Sequence, residues 1–125
     1  MLNGINAERR KAGLQPVGIQ DAATKVARMR ASDMATRNYF AHVSPDGVTA
    51  FDLLKANGVD PGGTSEIIGE ANGPDDQSVS LIVNAFMKSP SHREQILTAR
   101  YNLAGVGEAL GSGNVKYYAI VFLQR

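Results

Sequence analysis

The sequence predicts an α+β fold, an α-β-α sandwich with a small antiparallel sheet between helical layers, and three observations carry that prediction. Apolar residues recur at helical spacing in several stretches before residue 97. The period then changes to a strand-like one over 103–110 and 115–124, joined by the hairpin-type loop Gly111-Ser-Gly-Asn114. Finally, Tyr117-Tyr-Ala-Ile-Val-Phe-Leu123 is apolar on both alternating faces. A strand buried on both sides needs a layer above and below its sheet, and only helices are plentiful enough here to supply them.

The elements follow in order. Leu2, Ile5 and Arg9 share one helical face, and Gly13 stops that helix before the extended joint Leu14-Gln-Pro16. Asp21 opens a longer helix with Ile19, Ala22, Ala23, Val26, Ala27, Met29 and Met34 at helical spacing, and Asn38 suits its end. Ser44-Pro-Asp-Gly47 has the residues of a type I turn. Thr49 and Asp52 form a capping box for a short helix through Asn57, which Gly58 terminates. The Gly- and Asp-rich stretches Val59-Asp-Pro-Gly-Gly-Thr64 and Gly73-Pro-Asp-Asp76 read as loops. A further helix runs from about Ser78 to Lys88, with Val79, Ile82, Val83 and Phe86 on one face. Gly105 and Gly107 allow a helix or ring to pack closely on their strand.

A length of 125 residues predicts one domain over 1–125. With 13 Lys plus Arg against 12 Asp plus Glu the net charge is +1, which argues against nucleic acid as a partner. Residues 43–80 are the acidic part, with one basic and seven acidic groups, and read as a solvated loop surface. Zero Cys removes disulfides, thiolate metal sites and cysteine nucleophiles together. No apolar run is long enough for a transmembrane segment. The N-terminus lacks a basic region followed by an apolar core, so no signal peptide is read. Its immediate entry into a helical pattern suggests a domain cut from a longer precursor, although a short natural protein would begin the same way.

Only two imidazoles exist, so histidine chemistry must use His42, His92 or both. His42 falls just past a helix end and before a turn. In Phe86-Met-Lys-Ser-Pro-Ser-His-Arg93, Pro90 ends one helix and Ser89 can cap the next, with Pro90 at its first position and His92 at its third. The positive end of that helix dipole disfavours imidazolium, so a lowered His92 pKa is expected. Each histidine taken alone also fits a packed structural role. There is no His-Glu-x-x-His, no Gly-x-Ser-x-Gly and no phosphate loop.

These residues resemble, in order and over essentially the whole chain, the CAP superfamily of cysteine-rich secretory, antigen-type and pathogenesis-related proteins in its bacterial SCP-like form. The matching pieces are Asn6-Ala-Glu-Arg9 with Gly13-Leu-Gln-Pro16, Asp33-Met-Ala-Thr-Arg-Asn-Tyr-Phe-Ala-His42 with Ser44-Pro-Asp-Gly47, Phe86 to Arg93 with Gln95-Ile-Leu97, Ala104-Gly-Val-Gly107, and Tyr117-Tyr118 with Phe122. The resemblance implies the same sandwich, one CAP domain, and a cleft where two histidines, His42 and His92, meet acidic residues. The family's first acid lies in a Gly-Glu-Asn-Ile segment, and Ser65-Glu-Ile-Ile-Gly-Glu-Ala-Asn72 offers two registers. Glu66 is favoured because it leaves a loop of plausible length before the Ser78 helix, with Glu70 as the alternative. The family's second acid falls at Ser89, so the reduced set is His42, Glu66 and His92.

Two neutral imidazoles and a carboxylate suit a divalent metal such as zinc, with His42 and His92 as the ligands, and some relatives bind such metals at the corresponding histidines. The resemblance implies a secreted, periplasmic or cell-envelope binding module whose cleft holds a metal, a small molecule, a lipid or a protein partner. One alternative is a metal-assisted hydrolase of peptidase type with Glu66 as general base. Another is a structural or interaction domain of a larger envelope protein. Absence of Cys fits a bacterial member.

Overall fold

The structure, a computed structural model, describes residues 1–72 and 75–125. Its helices are α1 (Leu2–Lys11), α2 (Asp21–Arg37), α3 (Ala50–Ala56), α4 (Asp75–Lys88) and α5 (Pro90–Ile96), and its strands are β1 (Gly18–Ile19), β2 (Thr64–Asn72), β3 (Leu103–Leu110) and β4 (Val115–Leu123). The strands form one sheet in the order β1-β3-β4-β2. β4 is antiparallel to both neighbours, whereas β1 runs parallel to β3, so the sheet is mixed at that edge and not wholly antiparallel. Two residues are too few for a periodic signal, and only pairing with Leu103 and Ala104 defines β1.

Alternation along β4 divides the core. Tyr117, Ala119, Val121 and Leu123 face α2 and α3, where they pack with Val26, Ala27, Met34 and Leu54. Tyr118, Ile120 and Phe122 face the layer of α1, α4 and α5, against Ile5, Ile82, Phe86 and Ile96. The expected α-β-α sandwich is therefore present. Gly105 and Gly107 place the backbone of α2 directly on β3, since a Cβ at either position would lie 2.1 Å from Ala23 C or 2.3 Å from Ala27 C.

Local signals hold where side chains cap their own backbone. Thr49 and Asp52 make the capping box, and Asn38 closes α2 in the left-handed region at φ 55°. Gly47 N–H donates to Ser44 C=O (2.9 Å) to close the predicted turn. Two expectations change. Ser65–Asn72 is strand throughout, where a loop was expected after Glu66. α4 begins at Asp75, inside the stretch read as a loop, because a Pro-Asp-Asp run serves a helix start as readily as a turn. Gly73 and Pro74 of that stretch lie outside the described residues.

Candidate functional site

The site is built around Glu66. Even-numbered residues of β2 face α2, as Ile68 does, so the Glu66 side chain enters the layer between sheet and helix. There it meets Arg30, which sits in the apolar stripe of α2 between Val26, Ala27, Ala31 and Met34. Arg30 Nε donates to Glu66 Oε2 (2.8 Å) and Nη2 to Oε1 (3.2 Å). The remaining guanidinium donors reach Tyr39 Oη (2.8 Å) and Ala41 C=O (2.5 Å), and Tyr39 Oη donates onward to Asp33 Oδ2 (2.6 Å). Burial pulls the Arg30 pKa down, but the hydrogen bond and charge of Glu66, with Tyr39, outweigh it and leave it raised. Burial, then the bond to Asp33, pushes the Tyr39 phenol up to about 12.

His42 hangs from this network. Arg30 holds the Ala41 carbonyl, and the next residue places its ring Nδ1 2.9 Å from Glu66 Oε1. An ionised carboxylate only accepts, so Nδ1 carries the hydrogen and the neutral ring presents a bare Nε2. The His42 side chain is 60% exposed while that of Glu66 is 4% exposed, so the acid is a buried anchor and the imidazole is the accessible group.

His92 comes from the opposite layer. α4 ends at Lys88, Ser89 is the N-cap of α5 and Pro90 is its first residue, as expected. The Ser89 hydroxyl does not cap the backbone. It lies instead 2.8 Å from His92 Nδ1, within hydrogen-bond reach of the ring that shares its turn. The His92 ring also stacks on Phe86, with centroids 5.1 Å apart. Its pKa is lowered, mainly by burial and then by the charge of His42. The direction matches the expectation, with burial the leading cause and the charge of His42 the second.

His42, Glu66 and His92 line one cleft of about 390 Å³, together with Phe51, Ser91 and Gln95. Ser89 stands behind His92 and does not line the cleft, and Glu70 is exposed farther along β2. Arg30, absent from the sequence reading, has a recognisable signal: a cation at helical spacing within an apolar stripe demands a buried partner.

Among the described residues no three His, Cys, Asp or Glu side chains group closely enough to hold one ion. Both Glu66 oxygens are engaged, by Arg30 and His42. What remains is two imidazoles. His42 carries the carboxylate contact that typically orients a metal-binding ring, and His92 has a hydroxyl in the corresponding place. Two imidazoles fall short of the three protein ligands usual for catalytic zinc.

Comparison with known proteins agrees with this architecture. The model of the cysteine-rich secretory protein family (CAP) matches residues 2–123. The uncharacterized protein YkwD of Bacillus subtilis is 36% identical over 102 residues, 82% of this chain and 38% of its own length. The uncharacterized membrane protein YlbC of the same organism is 29% identical over the whole chain and 34% of its own length, so this chain spans little more than a third of either curated relative. In structure, an outer surface protein of Borrelia burgdorferi superposes with a TM-score of 0.85 at 23% identity, over 99% of this chain and 89% of that one. An extracellular protein containing a SCP domain from Bacillus anthracis gives 0.82 at 24% identity, over 97% and 38%. Two more distant structures of this fold, each with a TM-score of 0.58, are described as manganese-bound Ac-ASP-7 and NaASP2 with Zn2+. With the family model matched from the first turn of α1 to the end of β4, the chain belongs to the cysteine-rich secretory protein, or CAP, family.

Proposed function

We infer that the chain is an exported binding module, acting at the cell envelope or outside the cell, and that the cleft between α3 and α5 is its ligand site. The observation that carries this is the pair of imidazoles on one cleft, each engaged through Nδ1, by Glu66 and by Ser89, with Nε2 left for an outside ligand. Among the described residues neither Nε2 has a hydrogen-bond partner. A divalent cation such as zinc is the ligand this donor set suits, with His42 and His92 holding it, as the metal-bound structures of the same fold encourage. Export follows the extracellular and outer-surface descriptions of the structural relatives.

A hydrolytic role asks for a carboxylate free to take a proton from water. Glu66 is instead shared between Arg30 and His42, which makes it an orienting group. The test is zinc titration calorimetry on the wild type beside His42→Ala and His92→Ala. A saturable heat in the wild type, lost in both variants, is expected, and equal heats in all three proteins overturn the metal site. Peptide and ester screens should show no His-dependent turnover.

A further inference from the structure

The sheet edge that borders the cleft narrows the choice of occupant. Among the described residues β2 is an edge strand, paired only with β4. Gln124 N–H donates to Gly63 C=O (2.9 Å), which marks 63 and 124 as a pair bonded across the ladder. Antiparallel pairs alternate, and the register from Thr64↔Leu123 to Asn72↔Val115 runs without a bulge. Ser65, Ile67 and Gly69 therefore turn their N–H and C=O toward β4, while Thr64, Glu66 and Ile68 turn theirs outward. The other ladder agrees. Gly111 N–H donates to Val115 C=O (2.7 Å), so odd-numbered β4 residues bond toward β3 and even-numbered ones toward β2. Among the described residues nothing pairs with the outward backbone groups of Thr64, Glu66 and Ile68.

Four consecutive β2 residues, Thr64 to Ile67, line the cleft along this edge. His42 and Phe51 come from one helical layer and His92 and Gln95 from the other. Thr64 Oγ1 and Ser65 Oγ, on opposite faces of the strand, are buried without a partner among the described residues.

We propose that the cleft takes an extended peptide segment, which adds as a further strand along the outer edge of β2. The proposal rests on the reading of the cleft as a binding site and names its ligand class. A row of donors and acceptors repeating every second residue is complementary to another extended backbone, whereas a small solute satisfies one step of it. The cleft volume of about 390 Å³ suits a short segment and not a folded domain. Alternate side chains of the added strand face His42 and Phe51 on one side and His92 and Gln95 on the other. Glu66 is already neutralised by Arg30, so the charge on this edge comes from exposed Glu70 farther along the same face of β2, which favours Lys or Arg at the matching position of the segment.

The probe is a set of end-capped hexapeptides with Lys at every second position and the others varied, added to the whole chain while NMR follows backbone amide exchange. The Glu66 and Ile68 amides should exchange rapidly in the free protein, and bound peptide should slow them by roughly tenfold or more. N-methylation of the peptide should abolish binding at alternate positions only. Strand addition is overturned if no peptide binds at millimolar concentration, if those amides stay fast on binding, or if N-methylation is tolerated everywhere. Protection that grows with protein concentration alone assigns the edge to a second copy and overturns it too. The zinc titration separates the two readings. A His-dependent heat without peptide binding removes the peptide and leaves the cleft as a cation site, and loss of both removes both.

Discussion

Arg30 and Glu66 meet in a two-point ion pair, Nε to Oε2 at 2.8 Å and Nη2 to Oε1 at 3.2 Å, with side chains 1% and 4% exposed. Charges so far from water recover their desolvation cost only when their remaining hydrogen bonds are complete. Tyr39 and the Ala41 carbonyl complete those of Arg30, and His42 shares Oε1 with it. One contact therefore ties α2 to β2 and also sets the ring that faces the cleft.

Glu66→Gln keeps the side chain's shape and removes its charge, leaving Arg30 buried without a carboxylate. It should cost roughly 3–5 kcal/mol in urea unfolding. The double variant Arg30→Met, Glu66→Leu should recover most of that loss, because it removes both desolvated charges. A Glu66→Gln protein within about 1 kcal/mol of wild type would show that the pair carries little stability.

Gly105 and Gly107 give a second prediction. An added Cβ at Gly107 would sit 2.3 Å from the Ala27 carbonyl carbon, and at Gly105 2.1 Å from that of Ala23, so α2 must move away from the sheet. Alanine at either position should cost about 3 kcal/mol. Gly18→Ala is the control, since its Cβ would meet Leu103 Cδ2 at an ordinary 3.6 Å. A thermal unfolding series in which all three behave alike contradicts close packing as the cause.

How legible each part was in the sequence follows from where its determinants lie. α1, α2, α3, β3 and β4 carry their own periodicity, caps and stops. β2 does not, because it is an edge strand with Glu66 and Glu70 on the face that also carries buried Ile68, and with Ile67 buried on the other. Polar residues in an edge strand erase the alternation that marks a strand. The nearness of His42 to His92 came from family resemblance, since 50 residues separate them and no local pattern joins them. Arg30 was missed because its partner is supplied by β2, across the fold. Asn6 and Arg9, whose partners lie outside α1 and so leave no local signal, are fasteners: Asn6 exchanges two hydrogen bonds with the Val17 backbone.

Arg9 supplies a third prediction. It is fully buried and donates to four carbonyls, those of Gln15, Ile96, Thr98 and Tyr101, at 2.7–3.0 Å. Burial lowers its pKa, and among the described residues no carboxylate pairs with it. Its planar fork spans segments that a single ammonium cannot, so Arg9→Lys should lose roughly 2–3 kcal/mol and Arg9→Met more. Calorimetric melting checks this. Full stability in Arg9→Lys would mean that charge alone, without the fork, suffices.

His92 gives the pH dependence. Burial first, then the charge of His42, lower its pKa from the ordinary 6.5, so the folded state binds its proton less readily than the unfolded chain. Its contribution to stability is present above about pH 6.5 and is lost as the pH falls through the folded value. NMR titration of the ring in chelator-treated protein should give an apparent pKa below 6.5. His42→Ala removes the second cause and leaves the first, so the value should rise but stay below 6.5. A wild-type value at or above 6.5 overturns the burial argument. No change in His42→Ala would show that the two rings, although on one cleft, do not sense each other's charge.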